Sequence, residues 1–311
     1  MNIILAYLRL VRLPNLLIVA FTQYLVYGAL LWPALRQYDI NLALPPRTFW
    51  LFVLDTILVT AGGYIINDLV DFRTDLANRP EKVVLGRYIR KQTAHWLYFS
   101  VNIMGFLLAF YLALSVGQPP LVGLYPLAAL FLYGYSAKLK KQPLSGNIII
   151  ALFCAGVPGI VWFAERAGFG ELMVKNPARA GEIAVLLLWY MLFAYWSTFY
   201  RELIKDMEDV EGDRQTGCRT AAVVWGMGAA KGLAGAAGFS LLMVIGAMAY
   251  QQAELFTPLS RVYLGAALLL PVALSLFWLF RADTSADYHR LSTLAKLIML
   301  SGLLLLLFLV L

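Results

Sequence analysis

The sequence predicts an all-α, polytopic membrane protein: nine transmembrane helices forming a single bundle. Three observations lead there. First, 61% of the 311 residues are hydrophobic, mean hydropathy is +0.73, and 14% are charged, against about 25% in a soluble domain. Second, nine apolar segments reach the roughly 20 residues that a helix needs to cross a bilayer. Third, no polar block large enough to be a separate domain interrupts them.

Arg9 and Arg12 precede the first apolar stretch, 14–33. No small-residue cleavage site follows, so this span is expected to stay in the mature protein. The second span is 48–67 and the third 96–116. Gly117-Gln118-Pro119-Pro120 makes a tight turn into the fourth, 119–136. Pro143-Leu144-Ser145-Gly146 opens the fifth, 147–165, where Asn147 suits a cap or a ligand-facing position. The remaining spans are 183–201, 228–250, 262–281 and 292–311. Together they make one membrane-embedded domain. Segments 48–165 and 183–311 are candidates for an internal duplication, because each opens with a span that ends in an acidic row.

Basic residues fix the expected orientation. With the N-terminus inside, only Arg36, Arg47, Arg166, Lys175, Arg179 and Arg261 of the 25 Lys and Arg fall outside. The inner loops are therefore expected to be cytoplasmic and the C-terminus to lie on the opposite side. The net charge of +7 and pI near 9.3 then suit anionic lipid headgroups and phosphorylated substrates rather than nucleic acid. Cys154 and Cys218 form neither a disulfide framework nor a metal-site spacing. Oligomeric state is not readable, although Gly232, Gly235 and Gly238 allow close helix packing within or between chains.

Two acidic rows carry the chemistry. Asn67-Asp68-Leu69-Val70-Asp71-Phe72-Arg73-Thr74-Asp75 follows the second span. Lys205-Asp206-Met207-Glu208-Asp209-Val210-Glu211-Gly212-Asp213 follows the sixth. In both, aspartates recur at i, i+3 and i+7, which puts them on one helical face. Such rows repel themselves unless a cation lies between them. Asp and Asn oxygens suit Mg²⁺, which takes one or two protein carboxylates and completes its shell with water and phosphate oxygens. Two rows on one side of the membrane fit two halves of a diphosphate clamp. A solvated helix end would explain one row; matched spacing in two favours a site.

Basic residues share that side: Arg73, Arg79, Lys82, Lys138, Lys140, Lys141, Arg201 and Lys205. The positive-inside bias accounts for most of them. Tyr64, Tyr133, Tyr135, Tyr195, Trp196, Phe199 and Tyr200 lie near the same span ends. Their rings could stabilise an allylic cation, although each alone is explained by the interfacial aromatic belt. Asp55 lies within the second span, thirteen residues or roughly 20 Å before Asp68, too far to join the row. His95 and His289 have no partner in the sequence that would make a base or a zinc site. A cation transporter would also gather acids, but transporter sites lie near the bilayer midplane on broken helices, whereas these rows lie at span ends.

The motifs resemble those of the UbiA superfamily of intramembrane prenyltransferases. Residues 67–75 match its NDxxDxxxD motif, and Asp209 and Asp213 its DxxxD. Asn78-Arg79-Pro80 with Gly86, and Tyr135-Ser136, Leu139-Lys140 and Gly146-Asn147, match two of its connecting loops. The resemblance covers all nine spans. It implies a helical bundle around a central lipid-accessible cavity, Mg²⁺ as cofactor, a prenyl diphosphate donor, and a lipid or aromatic acceptor. It implies Asn67, Asp71, Asp209 and Asp213 as leading metal ligands, with Asp68, Asp75 and Asp206 beside them. Asp71, Asp209 and Lys205 would carry the chemistry, while Arg79, Lys140, Arg201 and Tyr135 would contact the diphosphate. The string from Arg201 to Asp213, with Gly217 and Thr220, is most similar to the branch joining a geranylgeranyl chain to geranylgeranylglyceryl phosphate. Ala221-Ala222 departs from the Leu-Pro common there, which leaves aromatic acceptors of quinone synthesis as the alternative.

Overall fold

The computed structural model describes residues 2–310, and among them helices account for every regular element. Short α1 (Ile3–Leu10) precedes α2 (Leu13–Gln37), whose ladder widens to a π-turn at Val26–Leu31. Then come α3 (Pro46–Val70), α4 (Phe72–Asn78), α5 (Lys91–Ser115) and α6 (Leu124–Ala137). They are followed by α7 (Ser145–Ala164), α8 (Arg166–Lys175), α9 (Pro177–Glu208), α10 (Val210–Gln215) and α11 (Ala221–Val224). Last are α12 (Gly226–Gln251), α13 (Pro258–Leu279) and α14 (Ser285–Val310).

Among the described residues eight helices are long and apolar enough to cross a bilayer: α2, α3, α5, α7, α9, α12, α13 and α14. They match eight of the nine expected spans, and the chain is an integral membrane protein. The remaining expected span, 119–136, is built differently. Pro119 and Pro120 lack amide donors, so it starts as a 3₁₀ turn, Pro119–Gly123, and only then becomes α6. Residue 311, where the ninth expected span ends, lies outside the described residues.

The chain packs as two compact units. One comprises residues 1–21, 43–142 and 211–218. Its core near the first acidic row joins Ala6 and Leu10 of α1, Ile65 of α3, and Val84, Leu85 and Ile89 of the connecting loop. That loop folds back on itself: Gly86, at φ +76°, donates its N–H to the Ile89 carbonyl at 2.8 Å. Deeper down, α5 and α6 touch at Gly105, where a Cβ would lie 2.0 Å from the Tyr125 hydroxyl.

The other unit comprises 22–42, 143–210 and 219–311. Its longest element, α9, starts with Asn176 accepting from the Arg179 N–H at 3.0 Å and Pro177 at the first helical position. Tyr200, Leu203, Ile204 and Met207 of α9 bury against Ala230, Ala234 and Ala237 of α12 and Tyr288 and Ala295 of α14. The buried Tyr200 hydroxyl donates to Ser275 Oγ at 3.0 Å, which donates to the Val272 carbonyl at 2.8 Å. These contacts hold the last turns of α9 and its acidic residues in place.

Candidate active site

The first acidic row is a helix that bends without breaking. Asp71 caps α3 at φ −84°, ψ 3°, yet its N–H still donates to the Asn67 carbonyl, and Asp75 donates to Asp71, both at 2.8 Å. The i, i+4 ladder therefore carries the face from Asn67 into α4. Asn67 and Asp71 are buried, at 5% and 3% exposure.

Lys140 reaches this face from the 3₁₀ turn Leu139–Lys141. Its ammonium lies 3.3 Å from Asn67 Oδ1 and donates to Asp71 Oδ2. Burial alone would lower the Lys140 pKa, but the charges of Asp71 and Tyr135 and the hydrogen bond to Asp71 raise it, so the ammonium stays protonated. Asp75 is pushed up to about 6 by burial; Lys140 pulls it down while Asp71 and Asp68 push it further up. Tyr135, at 9% exposure, is close enough for its charge to act on Lys140.

Arg12 is part of this site and was not anticipated. Its Nη2 donates to Asp68 Oδ1 at 2.9 Å, and its guanidinium lies 4.8 Å from the Tyr64 ring centroid. Tyr64 in turn accepts from Asn15 Nδ2 at 3.2 Å. Arg12 sits between α1 and α2 at φ +53°, a costly conformation for a residue with a Cβ. Burial works against its charge; Asp68, Tyr64 and Asp75 more than restore it. Nothing local in the sequence signals this pairing, because 56 positions separate the partners.

The second row divides at Asp209, which caps α9 with its N–H on the Lys205 carbonyl at 2.9 Å. Before the cap, Asp206 Oδ2 accepts from Asn147 Nδ2 at 2.9 Å. Asn147 is thus turned to the row and does not serve only as a helix opener. Glu202, absent from the expected set, ties two expected cations: Arg201 Nη1 donates to it at 2.7 Å, and Lys205 Nζ lies 4.0 Å away. Glu208 points elsewhere, onto His289 Nδ1 at 2.7 Å. His289 thereby has a partner that the sequence did not reveal.

After the cap, α10 carries Asp213, at 8% exposure, and packs on α4 of the first row within one unit. Thr74 Oγ1 donates to Thr216 Oγ1 at 3.2 Å. A Cβ at Gly212 would lie 1.9 Å from Asn78 Oδ1, so only glycine permits this approach. Gly217, at φ +75°, ends the segment. Arg79 lies where α4 stops, its N–H on the Asp75 carbonyl at 2.8 Å. The structure thus gathers Asn67, Asp68, Asp71, Asp75, Tyr135 and Lys140, and seats the Asp213 helix against the same segment. Asp55 stays apart, half-buried within α3, with one buried carboxylate oxygen lacking a hydrogen-bond partner among the described residues.

The donor set fits a hard divalent cation. Among the described residues no three carboxylate, imidazole or thiol groups converge as a closed cage. Mg²⁺ takes one or two protein carboxylates and draws its remaining ligands from water and phosphate. Asn67 and Asp71 already aim their oxygens at one cationic centre, the Lys140 ammonium.

Comparison with known proteins gives a consistent picture. A digeranylgeranylglyceryl phosphate synthase of Ignicoccus hospitalis is 33% identical over 224 residues, 71% of this chain and 64% of that protein. One of Thermococcus kodakarensis is 28% identical over 255 residues, 80% of this chain and 81% of that one. With a third, of Methanoregula boonei, the match is 33% over 168 residues and spans only about half of either protein, 54% and 53%. Among solved structures, one described as giving insights into digeranylgeranylglyceryl phosphate synthase in membranes superposes with a TM-score of 0.65 at 21% identity, covering 98% of both chains. The apo structure of a UbiA homolog from Aeropyrum pernix K1 gives 0.59 at 15% identity, covering 91% of this chain and 96% of its own. At those identities the likeness shows the fold alone. The profile of the UbiA prenyltransferase family matches residues 14–309, and the chain belongs to that family.

Proposed function

We propose that this protein is a Mg²⁺-dependent prenyltransferase that moves a geranylgeranyl group from its diphosphate to geranylgeranylglyceryl phosphate, releasing pyrophosphate. The observation that carries the reading is the pairing of Lys140 with Asn67 and Asp71, beside the helix that brings Asp213 to the same segment. Partly exposed cations beside buried acids are what a bound diphosphate and its counter-ions require. The relatives named above supply the acceptor.

Asn67, Asp71 and Asp213 would hold Mg²⁺ in the first unit, with Asp68 and Asp75 alongside; Asp206 and Asp209 are the ligands expected from the end of α9. When bound, Mg²⁺ neutralises charge on the departing pyrophosphate. Lys140 and Arg12 keep their charge beside Asp71 and Asp68 and would hold diphosphate oxygens as the C–O bond breaks. Tyr135 offers a π face to the allylic cation; in the other unit Tyr195, Trp196 and Phe199 form an aromatic cluster with rings 5.3–6.0 Å apart. The acceptor hydroxyl attacks that cation, and its proton leaves to the pyrophosphate or to a carboxylate of the row. The acidic rows are read as cytoplasmic, where soluble Mg²⁺ and donor are available.

The test is pyrophosphate release by protein in nanodiscs with Mg²⁺ and geranylgeranyl diphosphate, against geranylgeranylglyceryl phosphate, 4-hydroxybenzoate and dihydroxynaphthoate. Release that depends on the glyceryl phosphate and vanishes in Asp71→Asn and Asp209→Asn supports the reading. Release with an aromatic acid instead moves the protein to quinone synthesis. Folded protein inert toward every pair counts against prenyl transfer.

A further inference from the structure

The contact between α7 and α9 carries polar groups that the acidic rows do not use. The two helices run antiparallel in steady register: Asn147 meets Asp206, Cys154 meets Thr198, and Gly159 meets Met191. As one residue number rises the other falls in step, so Thr198 and Arg201 lie between the acidic end and the deeper half of this seam.

Thr198 is 3% exposed, and its Oγ1 makes no hydrogen bond beyond the weak thiol contact of Cys154. Threonines elsewhere in this chain behave differently. Thr56, Thr60 and Thr293 each donate back to the carbonyl four residues earlier, at 3.2, 2.7 and 3.0 Å. That is the ordinary way for a helical hydroxyl to satisfy itself away from water. Thr198 forgoes it, which leaves its O–H aimed off its own helix. One turn on, Arg201 shows the same pattern. Its Nη1 is engaged by Glu202 at 2.7 Å, while its Nε is buried without a partner among the described residues.

Arg201 Nε is an unpaired donor, and the Thr198 O–H has only the weak sulfur acceptor of Cys154. An unpaired donor inside a membrane protein is costly, so it calls for an acceptor atom from outside the chain. A polyprenyl tail has no such atom. A headgroup with anionic oxygens has several, and a guanidinium held by Glu202 is pre-oriented to receive one.

We propose that Thr198 and Arg201 form the acceptor subsite, holding the oxyanion of the acceptor headgroup, a phosphate or a carboxylate, about 12 Å along α9 from Asp206 at its deepest. The assignment rests on the prenyltransferase reading and removes Arg201 from the diphosphate contacts. Glu202 acts as the positioning residue for Arg201.

The experiment uses full-length protein in nanodiscs, with Thr198→Val, which keeps the side-chain shape, and Arg201→Lys, which keeps the charge but removes Nε. Acceptor KM and donor KM are measured separately, with geranylgeranylglyceryl phosphate and with 4-hydroxybenzoate. Binding of each acceptor is also measured at equilibrium without donor. Each variant should raise acceptor KM and Kd about tenfold, the worth of one lost hydrogen bond to a charged group, and leave donor KM within about twofold. The acceptor whose binding weakens names the anion. A rise in donor KM with unchanged acceptor binding would return Arg201 to the diphosphate. Unchanged binding of both acceptors, in variants that melt like the wild type, would reduce the seam to packing. If the wild type binds an acceptor through Thr198 and Arg201 but transfers no prenyl group, the subsite stands and the enzymatic reading falls. If transfer is intact and acceptor binding is indifferent to both residues, the reverse holds.

Discussion

The Lys140 ammonium lies 3.3 Å from Asn67 Oδ1 and donates to Asp71 Oδ2, closing over the one fully buried carboxylate of the first row. The arrangement has two consequences. Without metal, the lysine compensates Asp71. On the proposed function, a bound metal would take over that compensation and leave the lysine to phosphate oxygens.

Lys140→Met separates these roles. It leaves the Asp71 charge buried and unpaired, which costs roughly 3–5 kcal/mol in fully buried pairs and less here, because Lys140 is partly exposed. The metal-free variant should melt well below the wild type in chelator. Mg²⁺ should restore more stability to the variant than to the wild type, because a second cation fills the vacated position. Turnover should still fall at least a hundredfold, since the diphosphate loses its partner. Equal melting with and without Mg²⁺ in both proteins would show that the metal does not bind here.

Arg12 and Asp68 make a coupled pair. Asp68 has the more exposed side chain, at 19% against 4% for Asp71, so the effect of Asp68→Asn on activity should be smaller than that of Asp71→Asn. Arg12→Gln should weaken donor binding tenfold or more. In a double-variant cycle the two substitutions should be non-additive by about 1 kcal/mol or more, as contacting charges are. Additive effects on donor KM would show that Asp68 acts on the metal independently of Arg12.

Gly212 sits where a Cβ would meet Asn78 Oδ1 at 1.9 Å and Cγ at 2.4 Å. Gly212→Ala should push α10 away from α4, costing about 1–3 kcal/mol as overpacking does and displacing Asp213. Activity should fall about tenfold or more. Asn78→Ala removes the obstructing atoms, so the double variant should recover most of the loss. Without such recovery, the glycine would be needed for its backbone alone.

Much of this architecture is legible in the sequence, and the failures have physical causes. Eight apolar runs became helices of at least the expected length because lipid forces every backbone donor and acceptor to pair internally. The 119–136 span lost its first turn to two prolines. Helix α8 was not foreseen, because its two glycines and its charged residues mimic a loop; only its packing reveals it, with Gly168 seated 3.3 Å from the Asn41 carbonyl. Within the site, the Asp spacing is a local pattern and reads directly. The cations that answer it, Arg12 and Lys140, lie 56 and 69 positions from their partners, and tertiary folding alone brings them there. Glu202 is not legible in the sequence, because a carboxylate beside an arginine looks like a solvated pair until burial shows otherwise.

The last prediction concerns pH. Burial, with Asp71 and Asp68 nearby, raises the Asp75 carboxyl from 3.8 to about 6 in metal-free protein. A carboxyl that binds its proton more tightly when folded favours the fold at low pH. That contribution is complete below about 3.8 and is lost as the pH rises through about 6. At pH 8 the ionised Asp75 therefore costs stability, roughly 2 kcal/mol after allowance for its partial exposure. Asp75→Asn should raise the melting temperature of chelator-treated protein at pH 8 and change it little at pH 4. Mg²⁺ bound as proposed would reverse the balance by compensating the row, so it should stabilise the wild type more at pH 8 than at pH 5 and release protons on binding near pH 6. Melting curves at three pH values, with and without Mg²⁺, test all of this. If Asp75→Asn lowers the melting temperature at pH 8 in chelator, the carboxylate is already compensated without metal, and the row is a structural ion network rather than a site held open for a cation.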